Sequence, residues 1–411
     1  MSWTRLLLGG RDRRGAPSAD TLDWTLLGIV AALLLIGLVM LASASMSIAE
    51  SRTGNPFHYF NRQLVYLLLG LLLGLLAFRV SLDRWQRSGP MLLGLGLALL
   101  LLVLVPGIGK EVNGSSRWLS LGVLNVQVSE VFKLCFIVYL AGYLLRRGEE
   151  VRNSFSGFLK PMLLVCLAAA LLIFEPDFGA TVIISATALG MLFLAGAHFW
   201  QFLLLFVGLG GAGALLVLAS PYRLARVTSF LNPWDDPFDK GFQLVQSLIA
   251  IGSGAWNGVG LGGSVQKLFY LPEAHTDFLF AVLAEELGLI GVLCVIGLFA
   301  ALVWRILQLA VRAERCALPF GVHLAQGMAI WLALQAFINI GVNMGLLPTK
   351  GLTLPLMSYG GSSLLITCLS LTLLLRVAHE CALAEAQAMP RPQRRRDDGS
   401  GGRRAAREAV A

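Results

Sequence analysis

Long apolar runs separated by short polar segments dominate this chain. An α-helix needs roughly 20 apolar residues to cross the hydrocarbon layer of a membrane. Ten runs approach or exceed that length, at 24–45, 63–80, 89–106, 128–145, 158–174, 179–196, 200–219, 277–306, 321–345 and 359–377. This pattern predicts an all-α polytopic integral membrane protein with about ten transmembrane helices.

The composition excludes a soluble multidomain protein of the same length. Apolar residues make up 56% of the 411 residues and charged residues only 14%, against roughly 25% charged in an average soluble domain. A soluble protein of this size would need far more charged side chains to cover its surface. The composition therefore supports the membrane interpretation.

Basic residues predict the orientation of the spans, because cytoplasmic segments of membrane proteins are enriched in Lys and Arg. With the N-terminus inside, the inner segments hold 22 of the 32 basic residues and the outer segments hold nine. We therefore expect a transmembrane domain over 23–380, flanked by two cytoplasmic tails. The tails are 1–22 and the Arg-rich, disordered 381–411. Since much of the net charge of +8 lies in them, it suits an anionic membrane surface better than nucleic acid.

One exterior segment is much larger than the others. It covers 220–276, and within it residues 241–255 are apolar but too few to span a membrane. Such a stretch is typical of an interfacial or re-entrant helix. Long structured loops usually carry function, so this loop is the first place to look for chemistry.

Several common site patterns are absent or misplaced. The six cysteines form no disulfide framework and no CxxC pair, and the five histidines form no HxxxH pair. Two GxGxxG matches, at 208–213 and 258–263, do not open a βαβ unit, so a dinucleotide site is rejected. No metal site or cofactor is evident from these patterns, although a divalent cation is compatible with them.

Charged residues inside the spans are candidates for function, because burying them in a membrane is costly. Glu130 and Lys133 are three residues apart and share one helix face. They either neutralise each other or line a polar substrate cavity, and the two roles are compatible. Glu285 and Glu286 lie in the eighth span without a nearby cation in sequence, which favours interhelical hydrogen bonding or pairing with a distant arginine.

Ionisable residues gather where the large loop re-enters the membrane. Lys267, Glu273, His275 and Asp277 lie within eleven residues of one another. An acid at a helix start often caps the helix. From the residues alone, capping is therefore the favoured role for Asp277, with acid–base chemistry as the alternative.

Several long motifs lie between about residues 25 and 380. They include the sequence YLPEAHTDFLFAVLAEELGLIG from Tyr270 onward and the preceding NPWDDPFDKGFQLVQSLIAIGSGAWNGVGLGGS. Others are NGSSRW at 113–118, QVSE at 127–130, PDFG at 176–179, NMGLLPTKG at 343–351 and PLMSYGGSS at 355–363. Together these motifs resemble the SEDS family of cell-wall polymerases. Val128 replaces the proline that the family usually has, and only a local effect at the helix start is expected.

The resemblance implies an inner-membrane peptidoglycan glycosyltransferase of ten spans. Such an enzyme polymerises lipid II on the outer membrane face, releases undecaprenyl diphosphate, and works with a class B penicillin-binding protein, the transpeptidase. The segment 348–363, which includes Lys350, is more similar to the division members of the family than to the elongation members. It therefore implies a place at the division septum among other membrane proteins of the division machinery.

The resemblance also changes the interpretation of Asp277, because the essential acid of the family maps onto it. An inverting displacement needs one carboxylate base, and the neighbouring Phe278 and Phe280 are expected to raise its pKa. Candidates for holding the diphosphate or lining its site are Lys267, Lys133, Glu130, Arg117, Arg223 and Arg226. Supporting roles are expected for Glu273, His275, Glu285, Ser358, Gly360 and Gly361.

Three alternatives remain open at this point. A lipid II flippase would also have many spans with charges inside them, although here the charged motifs concentrate on the outer side. An elongation-type polymerase would differ in cellular role rather than chemistry. A non-catalytic scaffold of the division machinery predicts that alanine at Asp277 has no effect on growth.

Overall fold

The structure is a computed structural model that describes residues 21–388 except 113–114, 123, 205–206, 208–210, 212–232, 236–240 and 350. Its elements, in chain order, are α1 (Trp24–Thr53), α2 (His58–Phe78), α3 (Leu82–Val103), β1 (Gly109–Val112), β2 (Ser115–Leu121), β3 (Leu124–Gln127), α4 (Val128–Asn153), α5 (Phe155–Phe174), α6 (Phe178–Leu194), α7 (Phe242–Ser253), α8 (Leu279–Arg315), α9 (Pro319–Asn343) and α10 (Gly361–Ala388).

The predicted helical membrane architecture is confirmed. Among the described residues, eight helices are long and apolar enough to cross a membrane, namely α1 to α5 and α8 to α10. The predicted sixth span corresponds to α6, which is apolar but has 17 residues. The predicted seventh span, 200–219, lies largely outside the described residues. The short helix expected in the large loop is α7.

Helix α4 forms the centre of the bundle. It packs against α3, α5, α6 and α9, while α10 packs along α2 and α8 packs along α9. Small residues allow the close contacts: a Cβ atom at Gly89 of α3 would lie 3.3 Å from the backbone of Tyr139 in α4. Close backbone approach at small residues is the usual basis of helix packing in membranes.

A small antiparallel sheet joins α3 to α4, which the apolar pattern did not predict. Its strand order is β1-β2-β3, with Trp118 opposite Lys110 on one side and Gln127 on the other. Gly122 has a φ of 73° in the turn that links β2 to β3, a conformation that glycine adopts without steric cost. Strand β3 leads directly into α4, which begins at Val128 without the proline that the family usually has at this position.

Helix α8 is interrupted at Gly288, where φ is 64° and ψ is −164°. The sequence predicted one continuous span here. The interruption frees backbone groups, and the preceding loop pairs with them: Val259 N–H donates to the Glu285 carbonyl at 2.9 Å, and Leu289 N–H donates to the Ala255 carbonyl at 3.0 Å. Hydrogen bonds of this kind satisfy the freed backbone groups, which is why a membrane protein can contain a broken helix.

The two ends of the bundle differ in the segments and residues that they hold. One end holds the sheet, the 175–177 turn and the loops around 254–278 and 344–360. The other end holds basic residues in ion pairs, including Arg305 with Asp23 and Arg312 with Glu385. Since α10 continues to Ala388, residues 381–388 are helical, and the expectation of a disordered tail from residue 381 is wrong for them.

Candidate active site

Asp277 lies two residues before α8, and its side chain is half-buried. The N-cap residue of α8 is Phe278, and no side chain of that residue caps the helix. Instead, the Asn343 Oδ1 atom of α9 accepts a hydrogen bond from Ala281 N–H at 3.1 Å. The capping role favoured from the residues alone is therefore wrong, and among the described residues none donates a hydrogen bond to the Asp277 carboxylate.

Two asparagines of α9 hold the backbone of Asp277. The Nδ2 atoms of Asn339 and Asn343 donate to its carbonyl oxygen at 2.9 and 3.0 Å. Asn339 also donates to the Leu352 carbonyl at 2.6 Å. Gly351 faces the carboxylate, since a Cβ atom there would lie 3.2 Å from Asp277 Oδ2. The amides thus bring the loop after residue 350 against the acid.

The surroundings of Asp277 raise its pKa to about 7. Burial is the main cause, and the negative charge of Glu273 adds to it, while the Arg117 guanidinium acts in the opposite direction. A carboxyl group with a pKa near the working pH is suited to general base catalysis.

Glu273 and His275 shape the segment that leads to Asp277. The Thr276 hydroxyl donates to Glu273 Oε2 at 2.8 Å. The His275 ring lies with its centroid 4.6 Å from that of Tyr59 and 5.8 Å from that of Tyr359, and Tyr359 N–H donates to the His275 carbonyl at 2.9 Å. Burial lowers the pKa of His275, which favours a neutral, packed imidazole here.

The loop before α10 is fixed by the amide of Gln63 in α2. Its Nε2 atom donates to the Ser358 carbonyl at 3.1 Å, and its Oε1 atom accepts from Gly360 N–H at 3.4 Å. Ser358 Oγ accepts from Leu354 N–H at 3.0 Å. Gly361 contacts the Tyr66 ring so closely that no Cβ atom would fit. These supporting residues therefore shape the loop around the acid.

Arg117 extends from β2 to the turn between α5 and α6. Its guanidinium donates to the carbonyls of Glu175 at 3.1 Å and Pro176 at 2.5 Å. The carboxylate of Glu175 is fully buried, and within the described part of the chain neither of its oxygens has a hydrogen-bond partner. Burial and the nearby Asp177 raise the pKa of Glu175 to about 8.

Lys133 and Glu130 form a buried ion pair inside the bundle, with Nζ and Oε1 2.9 Å apart. Lys133 Nζ also donates to Gln335 Oε1 at 3.0 Å and lies 5.2 Å from the centre of the Trp331 ring. This geometry matches mutual neutralisation. In this structure it leaves the lysine enclosed by protein groups rather than facing the Asp277 loop.

Lys267 is enclosed in a similar way. It pairs with Glu286 at 2.7 Å and donates to Ser43 Oγ at 2.8 Å. The neighbouring Glu285 accepts from Ser264 Oγ at 2.5 Å and from Val265 N–H at 3.0 Å. Both glutamates thus anchor the large loop to α8. The interhelical hydrogen bonding expected of these acids is present at Glu286, because Ser43 Oγ of α1 donates to its Oε1 atom at 2.7 Å. The ion-pair partner of Glu286 is a lysine, Lys267, rather than the distant arginine of the alternative.

Two predicted cations, Arg223 and Arg226, lie outside the described residues, as does Lys350. Of the residues that the structure describes, no three His, Cys, Asp or Glu side chains are grouped closely enough to hold a metal ion.

Sequence reasoning missed Gln63, Gln335 and Asn339, which position the loops around Asp277. The signal was present for two of them. Gln335 and Asn339 precede Asn343 at intervals of four in an otherwise apolar span, and that spacing puts all three on one helix face.

The sequence matches one protein family along most of its length. The family model described as “Cell cycle protein”, for FtsW, RodA and SpoVE, matches residues 23–382. A probable peptidoglycan glycosyltransferase FtsW of Alkalilimnicola ehrlichii is 56% identical over 395 residues, covering 96% of this chain and 97% of that one. Another of the same description, from Thioalkalivibrio sulfidiphilus, is 60% identical, with 88% and 90% covered.

Solved structures show the same fold. A chain from a study titled “Structural coordination of polymerization and crosslinking by a peptidoglycan synthase complex” is 34% identical with a TM-score of 0.73, covering 88% of this chain and 98% of that one. The crystal structure of the rod shape determining protein RodA of Thermus thermophilus is 33% identical with a TM-score of 0.63 over the same shares.

Proposed function

Because the chain belongs to the cell cycle protein family of FtsW, RodA and SpoVE, we propose that it is a peptidoglycan glycosyltransferase that joins lipid II disaccharide units into glycan strands. The reaction takes place at the outer face of the cytoplasmic membrane and releases undecaprenyl diphosphate. The observation that carries the proposal is the Asp277 carboxylate. It does not cap α8, it is half-buried, and its pKa is raised to about 7.

The chemistry is a single in-line displacement. Asp277 takes the proton from the 4-hydroxyl of the acceptor sugar as that oxygen attacks the anomeric carbon of the donor. The bond between this carbon and the diphosphate oxygen breaks, and the diphosphate leaves with the electron pair. One displacement inverts the anomeric carbon, so a second carboxylate nucleophile is not required.

The leaving diphosphate needs cationic stabilisation rather than a general acid. Among the described residues, Arg117 is the strongest candidate, because its charge acts on Asp277 and it lies at the same end of the bundle. Arg223 and Arg226 remain predictions. Lys133 and Lys267 are weaker candidates, since each would have to leave a buried ion pair to reach the substrate.

The relatives support a proposal for the partner and the cellular location. The solved relative comes from a synthase complex that couples polymerisation to crosslinking, which supports a class B penicillin-binding protein as the partner of this chain. The FtsW description of the relatives that are 56 and 60% identical supports the division septum over an elongation role.

The test is polymerisation by the purified chain in proteoliposomes with its transpeptidase and labelled lipid II. Wild type should make glycan polymer. Asp277→Asn should polymerise about 10²- to 10⁴-fold more slowly while staying folded and bound to the transpeptidase. Asp83→Asn, a change of an exposed acid at the opposite end of the bundle, is the matched control and should polymerise normally. Near-normal polymer from Asp277→Asn would overturn the assignment, and movement of lipid II between leaflets without polymer would favour the flippase.

A further inference from the structure

Helix α9 carries a stripe of buried amides on one face. Gln335, Asn339 and Asn343 follow one another at intervals of four residues, and all three side chains are almost completely buried. In a membrane-spanning helix each buried amide is costly unless it is hydrogen-bonded, so what these three hold in place is informative.

Each amide of the stripe binds a different part of the site. Gln335 accepts from Lys133 and donates to the Thr353 carbonyl at 3.1 Å. Asn339 bridges the carbonyls of Leu352 and Asp277. Asn343 donates to the Asp277 carbonyl and accepts from Ala281 N–H. The stripe therefore joins the loop before α10 to the first turn of α8.

We propose that Asn339 and Asn343 are positioning residues for Asp277, which hold its backbone and leave its carboxylate free for the acceptor hydroxyl. Asn343 supplies the hydrogen-bond acceptor that a capping aspartate would otherwise supply to α8. Asn339 sets the distance between Asp277 and the loop that begins at Gly351. This inference rests on the proposed glycosyltransferase function.

An amide suits both places better than a carboxylate. Each side chain donates to the Asp277 carbonyl, and Asn343 also accepts through its Oδ1 atom. An aspartate at 343 would keep the acceptor, lose the donors and add a negative charge beside Asp277. Among the described residues, the charged groups acting on Asp277 are Glu273 and Arg117, so the added charge would reinforce the effect of Glu273.

Three variants test the positioning role. Asn339→Leu removes the bridge at similar volume, and kcat should fall about 10- to 100-fold with KM within about threefold, because a displaced catalytic group mainly slows the chemical step. Asn343→Asp should shift the acidic limb of the pH–rate profile upward by about one pH unit. Asn339→Gln, which keeps an amide but displaces it by one methylene, provides a milder variant and should also lower kcat.

A second readout does not depend on activity. Carbodiimide reacts with protonated carboxyl groups, and fragment mass spectrometry can resolve labelling at Asp277 from labelling at Glu273. The pH midpoint of this labelling should rise in Asn343→Asp. Asp23→Asn, which removes an ion pair at the far end of the bundle, is the control for general destabilisation and should leave both the midpoint and the pH–rate profile unchanged.

The outcomes separate this inference from the proposed function. The positioning role would be overturned if Asn339→Leu and Asn343→Asp both keep the wild-type kcat per folded molecule and the labelling midpoint is unchanged. This holds even if the melting temperatures of these variants fall. A wild-type chain that makes no polymer, together with a shifted midpoint in Asn343→Asp, would overturn the proposed function and leave the positioning geometry standing.

Discussion

The Nζ atom of Lys267 lies 2.7 Å from Oε1 of Glu286, and both side chains are buried. Ser43 of α1 donates to the same carboxylate at 2.7 Å. The pair therefore ties three segments together: α1, the end of the large loop and the first turns of α8. Because Asp277 lies between Lys267 and Glu286 in sequence, this ion pair closes the loop that carries the proposed general base.

Breaking this pair on one side should destabilise the chain. Lys267→Met leaves a buried, uncompensated carboxylate, which typically costs about 3–5 kcal/mol, so the yield of folded, detergent-extracted protein should fall. The double variant Lys267→Met, Glu286→Gln should recover most of that yield. Arg87→Met, which breaks an exposed pair with Asp83, should change it little. Normal yield without polymerisation in Lys267→Met would instead identify the lysine as a diphosphate ligand.

The pair of Lys133 and Glu130 should respond in the same way for a different part of the fold. Lys133→Ala removes the cation that Glu130 and Gln335 share, so folded protein should be lost before activity per molecule changes. Lys160→Ala, at an exposed lysine, is the matched control. Abundant but inactive protein would favour substrate binding by Lys133, and normal yield with normal activity would contradict both roles.

Apolar runs predicted most of the helices because a membrane imposes one requirement on each span, a length of about 20 apolar residues. The interruption of α8 was not predictable in this way. Its segment is continuously apolar around Gly288, and the break is stable only because a loop some 30 residues earlier pairs with the freed backbone groups. Non-local hydrogen bonds of this kind leave no periodic signal.

The candidate site shows the same division. Family motifs pointed to Asp277, and its flanking aromatics suggested a raised pKa. They did not show that Asn343 would take over the helix cap, because that depends on how α9 crosses the start of α8. Similarly, Lys267 was expected near the diphosphate and no acidic partner was predicted for it, whereas it pairs with the buried Glu286. The pairing of Lys133 with Glu130 was one of the two roles expected from their spacing.

The orientation of the bundle stays a prediction that labelling can test. Leu261 is 62% exposed in the large loop, so Leu261→Cys should react with an impermeant thiol reagent in intact spheroplasts. Ser264 is unsuitable as a probe because it is buried against Glu285. Arg87→Cys, at the basic end, should label only after lysis, and the unsubstituted chain gives the background from its own cysteines. The reverse pattern would contradict the orientation.

Glu175 should make the stability of the chain depend on pH. Its pKa is about 8 in the fold against an ordinary value of 4.5, so between these values the folded state binds more protons than the unfolded state. The free energy of unfolding should therefore decrease as pH rises through this window, by up to about 1.4 kcal/mol per pH unit.

The variant Glu175→Gln mimics the protonated form and should remove this dependence. Melting temperatures of detergent-solubilised protein between pH 7 and 9 provide the measurement. This range lies above the titration of His275, because burial lowers the pKa of that residue. Wild type should lose stability over that range, and Asp83→Asn should behave like wild type. Parallel curves for wild type and Glu175→Gln would show that Glu175 is not protonated in the fold.

The pH dependence of polymerisation should report the charges around Asp277. If its deprotonated form is the base, kcat/KM should fall about tenfold per pH unit below a pKa of about 7. Glu273→Gln removes a negative charge that raises this pKa, so the acidic limb should move to lower pH. Arg117→Gln removes a positive charge that lowers it, so the limb should move to higher pH. Displacements in the same direction, or none in either variant, would show that another group controls the acidic limb.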